Sequence, residues 1–435
     1  MAPRRDSVNQ KKASSPLGSL WCHHDYKVGW ICALPTEVTA AASMLDERHS
    51  MLSQPSGDHN SYILGRMGSH NVAIASLPTG VIGVASAARV ATQMSTTFPS
   101  LQYRFMVGIG GGVPSSMHDI RLGDVVVSKP VGELGGVVQY DFGKTVEEGR
   151  FVRQGVLNRP PTRLLSAAST LQTGLDLGRS CLSGILAQSA YRHPQRETAC
   201  TFPGASRDRL FHSSYSHPSP NTGCEQCDRN KLIQRSPRAD TGPSVHYGLI
   251  ASANQVMRDG ATRERLSQEL DVLCFEMEAA GLMDDFPCLV VRGICDYADS
   301  HKNKDWQDYA ASSAAAFTKA LLGVIPGDTF PPPYGNLLSQ ITPAPAIELI
   351  ILTLERAMAD SALSNNTNLF SKHELKSGVN NFWEHLTVSG LDLYRHIWQS
   401  LPKTDGRYVQ CKFNREELRW TVKYEPFPRT CGRRC

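Results

Sequence analysis

Three carboxylates that could transfer protons lie in one stretch of the chain, Cys274 to Tyr309: Glu276, Glu278 and Asp296. Asp296 directly follows the apolar, β-branched run from Pro287 to Cys295, which is typical of a strand buried on both faces. Ligands of open α/β sheets bind beyond the carboxyl ends of the strands. Asp296 is therefore placed to meet a ligand, although an acid at a strand end can also simply cap the helix that follows.

Glu37 is a fourth carboxylate at a comparable junction. The sequence predicts a strand over Tyr26 to Leu34 and a helix over Val38 to Leu45, so Glu37 lies where the strand gives way to the helix. The helix dipole also favours an acid in a first turn without any chemistry. The side chains of Glu276 and Glu278 would point in one direction if their segment is extended.

The elements that would position these carboxylates alternate between strand and helix from about residue 26 to 326, which predicts one α/β domain. Residues 79–86 form a glycine-containing turn that opens a helix, and amides at such a helix start can hold an anion or a hydroxyl-rich ligand. The glycines after Phe105 do not fit a dinucleotide-binding fingerprint, because the third glycine position is Val113 or Ser115. Other predicted strands and helices cover residues 71–77, 105–112, 122–128, 137–142, 162–177, 246–252, 261–270, 278–286, 287–295 and 306–324.

Composition is typical of an ordinary soluble protein. The 435 residues are 41% hydrophobic and 20% charged, and the net charge of +4 does not support nucleic-acid binding as the main activity. Twelve cysteines are too few for a disulfide scaffold in a chain of this length, and several lie in apolar runs. We therefore expect a reducing, cytoplasmic setting, with no secretory signal, no membrane helix and no cofactor.

Four further segments are set apart by composition. Residues 1–25 are polar and basic and are predicted to be a disordered tail. Residues 191–243 are rich in Arg, Pro, Ser and His and predict a long surface excursion from the domain of residues 26–326. Residues 327–345 are a proline-rich linker. Residues 346–435 are a C-terminal segment of unknown role, expected to be mostly helical or irregular, with helical patterns over 346–358 and 379–400.

The excursion contains a Cys-x-x-Cys pair, Cys224 and Cys227. Two cysteines at this spacing can supply two zinc ligands. A full site needs four ligands, and the further candidates, His212, His217 and Cys200, form no second pair with a clear spacing. We therefore predict no bound metal, and name Cys224 and Cys227 as the candidates for one.

Seven short stretches together resemble the nucleoside phosphorylase superfamily: VGWICALPTEVTAA, PTGVIGVASAA, VGIGGGV, LGDVVVS, GLIAS, FEMEAAGL and VRGICDYAD. The similarity is greatest to its methylthioadenosine/S-adenosylhomocysteine nucleosidase branch. The long Cys-containing excursion also resembles the nucleoside-phosphorylase-like domains of filamentous fungi, which are often joined to NACHT or ankyrin segments. The resemblance covers residues 26–326 without the excursion. It implies a three-layer α/β fold with a mixed, partly closed central sheet, and cleavage of the N-glycosidic bond of a nucleoside.

The resemblance also implies a role for each site residue. The reaction passes through an oxocarbenium-like ribosyl cation, and a purine leaves poorly unless its base is protonated. Asp296 matches the family's acid, which protonates N7 and must hold its proton near neutral pH with the help of burial. Glu278 matches the residue that binds the ribose hydroxyls, and Met277 packs against the sugar. The other matches are Glu276, which also faces the site, Arg292, close to the acid, Thr79 and Gly80, beside the sugar and nucleophile, and Ser252, Val256 and Met257, around the base.

Glu37 bears on the choice between hydrolysis and phosphorolysis. Phosphorylases of the superfamily place an arginine near the end of the first strand to hold phosphate, whereas this chain has Glu37 there and no arginine. A carboxylate repels a phosphate dianion in a dry site, and it can instead deprotonate a water. Glu37 matches the water-activating glutamate of the nucleosidases, so hydrolysis is favoured. Arg89, on the next predicted helix, is the residue that could reverse this prediction.

Two alternative functions stay open: phosphorolysis, and a non-catalytic domain that binds a nucleoside or a partner as a sensor or effector. Cys295 stands where the nucleosidases usually have serine, and Val256 where they usually have an aromatic residue that stacks on the base. The substrate could therefore be a purine nucleoside, a nucleotide or a thioether nucleoside. A homo-oligomer is expected by analogy alone, and the C-terminal segment could bind a signalling partner.

Overall fold

The computed structural model describes residues 21–178, 182–219, 223–327, 407–414 and 419–426. They fall into two units that divide between Pro333 and Tyr334. Strands of the first unit are β1 (Val28–Cys32), β2 (Glu47–Arg48), β3 (Tyr62–Met67), β4 (His70–Ser76), β5 (Tyr103–Gly112), β6 (Val125–Ser128), β7 (Val137–Gln139), β8 (Gly143–Thr145), β9 (Phe151–Arg153), β10 (Val245–Ser252), β11 (Val272–Glu276) and β12 (Leu289–Asp296). Its helices are α1 (Pro35–Ser43), α2 (Val84–Thr97), α3 (Thr162–Asp176), α4 (Leu182–Arg192), α5 (Glu197–Cys200), α6 (Gly260–Leu270) and α7 (Gln307–Val324).

A ten-stranded sheet forms the centre of the first unit, in the order β11-β10-β6-β12-β5-β1-β4-β3-β2, with β7 beside β10. Its pairings are both parallel and antiparallel. β11 pairs with β10 on one side and also with β5, so the sheet partly closes on itself. This confirms the expected mixed, partly closed sheet. β1 and β12 are buried along their whole length, and α7 packs on β5 and β12.

Three neighbouring parallel strands, β1, β5 and β12, carry the site at one edge of the sheet. Because their carboxyl ends meet at that edge, Glu37 after β1, the glycines that end β5, and Asp296 at the end of β12 are brought together. The last pairing of β12 is irregular: Ile294 lies opposite Gly110, and Asp296 lies opposite Gly111. Cys295 is thus an extra residue, and such a bulge re-aims the side chain that follows it.

Several predicted boundaries in the first unit differ from the structure: the first helix begins at Pro35 and not at Val38, so Glu37 lies in its first turn. Two other differences are larger. Residues 21–25 were expected in a disordered tail, but Trp21 stacks on His49 with ring centres 5.0 Å apart, and residues 23–25 form a 3₁₀ turn. The predicted helix over residues 278–286 is only a 3₁₀ turn at Ala279–Gly281. A Cβ on Gly281 would collide with the Val84 backbone, so close approach to α2 shapes this segment rather than helix propensity.

The second unit contributes two described strands, β13 (Arg407–Asn414) and β14 (Arg419–Pro426), which pair in antiparallel fashion. Neither strand was predicted: residues 346–435 were expected to be mostly helical or irregular. The helical patterns over 346–358 and 379–400 lie outside the described residues. Among the residues that are described, no helix is both long and apolar enough to cross a membrane.

Candidate active site

Four of the predicted residues meet in a buried group that we call the carboxylate cluster: Glu37, Glu276, Glu278 and Arg292. Each is at most 6% exposed. Arg292 Nη2 donates to Glu276 Oε2 and lies 3.4 Å from Glu278 Oε2. Arg292 was expected close to Asp296, but its ion-pair partners are these two glutamates. Burial lowers the pKa of Arg292, yet Glu276 and Glu278 outweigh it and the pKa is raised, so the guanidinium stays charged.

Glu37 is held by the backbone of two strand ends. Its Oε2 accepts N–H groups from Ala33 and Leu34 at 2.7 and 2.9 Å, and its Oε1 accepts the Ile109 N–H at 2.8 Å. Burial raises the pKa of Glu37, while Arg292 and these amides offset part of the rise. A carboxylate with a raised pKa and a fixed orientation is suited to take a proton from water near neutral pH.

Gly108 allows Glu37 and Arg292 to approach each other. A Cβ at this position would collide with both Glu37 Oε1 and Arg292 Nη1. The two side chains therefore meet in the space that a side chain at Gly108 of β5 would occupy. Glycine at this position thus allows the close approach of the two charged side chains.

Glu276 positions Glu278. Its carboxylate accepts the N–H groups of Glu278 at 3.1 Å and Ala279 at 3.0 Å, which fixes the turn after β11. Glu278 in turn accepts the Gly83 N–H at 3.3 Å. Burial raises the pKa of Glu278 to about 7, helped by Glu276 and opposed by Arg292. Glu278 can therefore accept hydrogen bonds as a carboxylate or donate one as an acid within the physiological range.

The contacts of Asp296 are with residues outside the carboxylate cluster. Its Oδ1 accepts the Ala298 N–H at 3.0 Å, and its Oδ2 accepts the Cys295 thiol at 2.9 Å and lies 3.0 Å from Lys302 Nζ. Cys295, which replaces the usual serine, thus still supplies a hydrogen-bond donor to the acid. Burial lowers the pKa of Lys302, but Asp296 outweighs it and the pKa is raised, so Lys302 is a cation.

A cavity of about 530 Å³ opens beside Asp296. Its lining contains three basic side chains, Lys302, Arg207 and Arg209, and four acidic ones, Asp296, Asp299, Asp305 and Glu225, the last of these 3.4 Å from Arg209. A larger cavity of about 640 Å³ lies elsewhere, among α4, α5 and the start of α7. The smaller cavity is the one that adjoins a predicted catalytic residue.

The predicted sugar loop lies over the carboxylate cluster without entering it. Thr79 and Gly80 are exposed, and the loop meets the cluster through the backbone of Gly83, which has a φ of 98°. A positive φ suits glycine, and a Cβ there would collide with Asn254.

The residues predicted around the base have separate environments. Ser252 is fully buried, and its Oγ accepts the Ala280 N–H at 3.0 Å, which is a structural contact. Met257 is buried in the core beside β10 and β11, and Met277 is half-buried. Val256 is 47% exposed and does not line the cavity beside Asp296.

Three residues that contribute to the site were not singled out from the sequence: Lys302, Gly108 and Gly83. Lys302 belongs to the polar loop HKNKD, where nothing in the pattern separates it from Lys304. Gly83 stood in the predicted turn, but its hydrogen bond to Glu278 joins positions 195 residues apart. Such pairings follow from topology, not from local spacing.

One family model and several known proteins are similar to this chain. The family model "Phosphorylase superfamily" matches residues 27–325. The chain is 44% identical over 326 residues to a nucleotide-binding leucine-rich repeat (NLR)-like protein of Hyaloscypha variabilis, covering 75% of this chain and 31% of that protein. It is 24% identical over 308 residues to a 5'-methylthioadenosine/S-adenosylhomocysteine nucleosidase of Mycobacterium bovis, covering 69% of this chain and 96% of the nucleosidase.

A third relative matches a shorter region. The ATP nucleosidase Cap17 of Escherichia coli is 39% identical over 83 residues, which are 18% of this chain and 16% of that protein. The chain thus spans under a third of its Hyaloscypha relative but nearly the whole of the bacterial nucleosidase. Because the family model covers most of the chain, the chain belongs to the phosphorylase superfamily.

Proposed function

We propose that this chain hydrolyses the N-glycosidic bond of a purine nucleoside or nucleotide. Glu37 activates the water, Glu278 binds the ribose hydroxyls, and Asp296 with Lys302 protonates the leaving base. The observation that carries the proposal is the Glu37 carboxylate, buried at a strand end, held by three backbone amides and facing Arg292.

The water-activating step follows from the contacts of Glu37. The Ile109 N–H occupies only one acceptor direction of Oε1, so this oxygen can also accept a hydrogen bond from water. Glu37 takes the proton as the water oxygen bonds to C1' of the ribose. The C1'–N9 bond breaks in the same step, and its electron pair leaves with the purine.

The leaving purine must be protonated at N7, and the Asp296–Lys302 pair supports this role. Asp296 is buried at the end of β12, where the bulge at Cys295 aims it. The ammonium of Lys302, 3.0 Å away, can supply the proton that Asp296 passes to N7. The products are the free base and ribose.

Phosphorolysis is disfavoured by charge. Three buried carboxylates and one guanidinium give the cluster a negative charge when its glutamates are ionised, and this repels a phosphate dianion. Arg89, which could have reversed the prediction, is exposed on α2. The cluster therefore suits a neutral nucleophile such as water.

A nucleotide substrate has one observation of its own in its favour. Arg207 and Arg209 line the cavity beside Asp296, and guanidinium groups bind phosphate well, whereas the third cation of the lining, Lys302, is already paired with Asp296. The match to an ATP nucleosidase points in the same direction. In the longer NLR-like relative a domain of this kind is part of a larger protein, so we propose that cleavage here serves a signalling assembly.

The test is base release from adenosine, methylthioadenosine, AMP and ATP, with and without inorganic phosphate. We expect phosphate-independent release of free base and ribose or ribose phosphate. Release that requires phosphate and yields ribose 1-phosphate would assign phosphorolysis. Binding of these ligands by calorimetry without release from any of them would assign a non-catalytic sensor.

A further inference from the structure

Three metal-ligating side chains of the excursion converge in the structure. Ligand atoms of His217, Cys224 and Cys227 all lie within 4.8 Å of one another. Cys227 is buried, and His217 and Cys224 are half-buried. His217, His212 and Cys200 were the candidate partners of the cysteine pair. Of these three, only His217 belongs to the group.

His301 lies beside this group and has an unsatisfied imidazole. It is 7% exposed, and neither ring nitrogen has a hydrogen-bond partner. Its ring centre is 5.2 Å from that of His217, and it stacks on Phe211 at 4.1 Å. Buried polar atoms without a partner are uncommon, and each is costly unless a ligand or ion satisfies it.

Asp299 gives His301 the arrangement of a metal-bound histidine. Its Oδ1 lies 3.6 Å from His301 Nδ1, just beyond hydrogen-bond distance. Metal-bound histidines commonly donate one ring N–H to a carboxylate while the other nitrogen binds the metal. If His301 moves so that Nδ1–H donates to Asp299, its Nε2 is the nitrogen that stays available for a metal.

Backbone contacts already hold the contributing segments together. The His217 N–H donates to Ser300 Oγ at 2.9 Å, and the Cys224 thiol donates to the His301 carbonyl at 3.7 Å. The ligands therefore come from two arms of the excursion and from the loop that follows β12. A shared metal would cross-link positions that are 84 residues apart, as His217 and His301 are.

We propose that His217, Cys224, Cys227 and His301 form a structural zinc site. Two thiolates with two imidazoles are a tetrahedral ligand set that favours zinc over magnesium or calcium, which prefer oxygen. With Zn–S about 2.3 Å and Zn–N about 2.0 Å, neighbouring ligand atoms lie about 3.3–3.8 Å apart. The ligand atoms of His217, Cys224 and Cys227 must therefore draw closer by about 1 Å, and His301, which lies outside the group of three, must move toward it. The Ser219 N–H donates to His217 Nδ1 at 3.3 Å. A metal on Nδ1 would have to displace this hydrogen bond, whereas a metal on Nε2 would leave it intact.

The zinc site would fix one wall of the cavity beside Asp296. His217, Cys224 and His301 all line that cavity, and Lys302 is the residue after His301. This consequence rests on the proposed function, because it matters only if Asp296 and Lys302 act on a substrate. Zinc binding itself does not depend on activity, so the two can fail separately.

The first experiment measures zinc in the full chain, purified without chelators, by elemental analysis. We expect about one zinc per chain, and cobalt substitution should give the intense visible bands of a tetrahedral site with thiolate charge transfer. The double variant Cys224→Ser/Cys227→Ser should lose at least about 100-fold in zinc affinity. Cys22→Ser removes an exposed cysteine outside the cluster and should keep wild-type zinc content.

The second experiment tests the histidines. His217→Ala and His301→Ala should each weaken zinc binding by 10-fold or more, with circular dichroism confirming that the variants fold. Chain that is reduced and folded but binds no zinc at micromolar concentration overturns the proposal, as does a Cys224–Cys227 disulfide found by mass spectrometry in freshly purified protein. Unchanged affinity in His301→Ala overturns the four-ligand site.

Discussion

Lys302 Nζ lies 3.0 Å from Asp296 Oδ2, and the two side chains are 23% and 3% exposed. The pair joins the end of β12 to the loop that follows it, six residues further along the chain. It gives the proposed acid a neighbouring proton donor, and it separates Asp296 in its contacts from the carboxylate cluster that surrounds Arg292. Base protonation and water activation are therefore assigned to two different groups of residues.

Asp296→Asn should lower kcat by about 10²- to 10⁴-fold, because an amide cannot pass a proton to N7. Substrate affinity should change little, since the amide keeps the size and a hydrogen-bonding oxygen. Steady-state kinetics on the best substrate of the panel measures both parameters. Asp271→Asn is the matched control: this exposed residue has a φ of 52°, a conformation that asparagine adopts readily. A kcat within twofold of wild type in Asp296→Asn would remove Asp296 from the mechanism.

Lys302→Met should destabilise the fold, because it leaves a buried carboxylate without its cation. In a double-mutant cycle with Asp296→Asn, we expect a coupling of about 1–2 kcal/mol in the free energy of unfolding, reduced from a fully buried pair because Lys302 is partly exposed. Urea unfolding gives the four values. The exposed pair Arg265–Glu269 is the control, with an expected coupling below about 0.5 kcal/mol. Equal couplings in the two cycles would argue against a buried ion pair.

Glu37→Gln should lower kcat by about 10²- to 10⁴-fold and flatten the acidic side of the pH–rate profile. Burial raises the pKa of Glu37, and only its carboxylate form accepts a proton from water. The wild-type rate should thus fall as pH decreases through this raised pKa, at a higher pH than for an ordinary glutamate. Glu278→Gln is the control and should keep the acidic limb while raising KM. If the rate of Glu37→Gln still falls at acidic pH as in wild type, the fall is due to the titration of another group.

Ionisation of Glu278 should lower the free energy of unfolding as pH rises from about 4.5 to about 7. Its pKa of about 7 in the folded state exceeds its ordinary value of 4.5, so the folded state binds the proton more tightly across this window and its stabilising effect is lost above it. Urea unfolding at pH 5 and pH 8 should show wild type losing roughly 3 kcal/mol relative to Glu278→Gln. Glu133→Gln, at an exposed position, should show the same change in the free energy of unfolding between pH 5 and pH 8 as wild type. A constant difference between wild type and Glu278→Gln would contradict the raised pKa.

Gly108→Ala should separate Glu37 from Arg292, because its methyl group would overlap atoms of both. We expect a loss of about 1–3 kcal/mol in the free energy of unfolding and at least a tenfold drop in kcat. Gly184→Ala in α4 is the control: a Cβ there meets nothing within 4 Å, and alanine favours the helix by up to about 1 kcal/mol. Wild-type activity in Gly108→Ala would show that the two side chains need not meet.

The sequence predicted the local elements of the first unit well. The strands that precede Glu37 and Asp296 were recognised because buried strands read as apolar, β-branched runs, and that pattern depends only on neighbouring residues. Their place at strand ends, and the family resemblance, then pointed to the correct edge of the sheet. The strand β11 was not predicted, because its five residues, Val272–Glu276, are too few to show a period. Glu278 was placed in a helix over 278–286, where the structure has only a 3₁₀ turn at Ala279–Gly281.

The partners of each side chain were decided by the tertiary structure. Arg292 pairs with Glu276 and Glu278, and Asp296 pairs with Lys302, because strand order and the bulge at Cys295 set which side chains share a space. The meeting of His217 with the Cys-x-x-Cys pair and with His301 has the same origin. Sequence by itself determined which residues could do chemistry and at which edge of the sheet they lie. Only the fold decided which charges neutralise one another, since electrostatic interaction depends on distance and burial and not on separation along the chain.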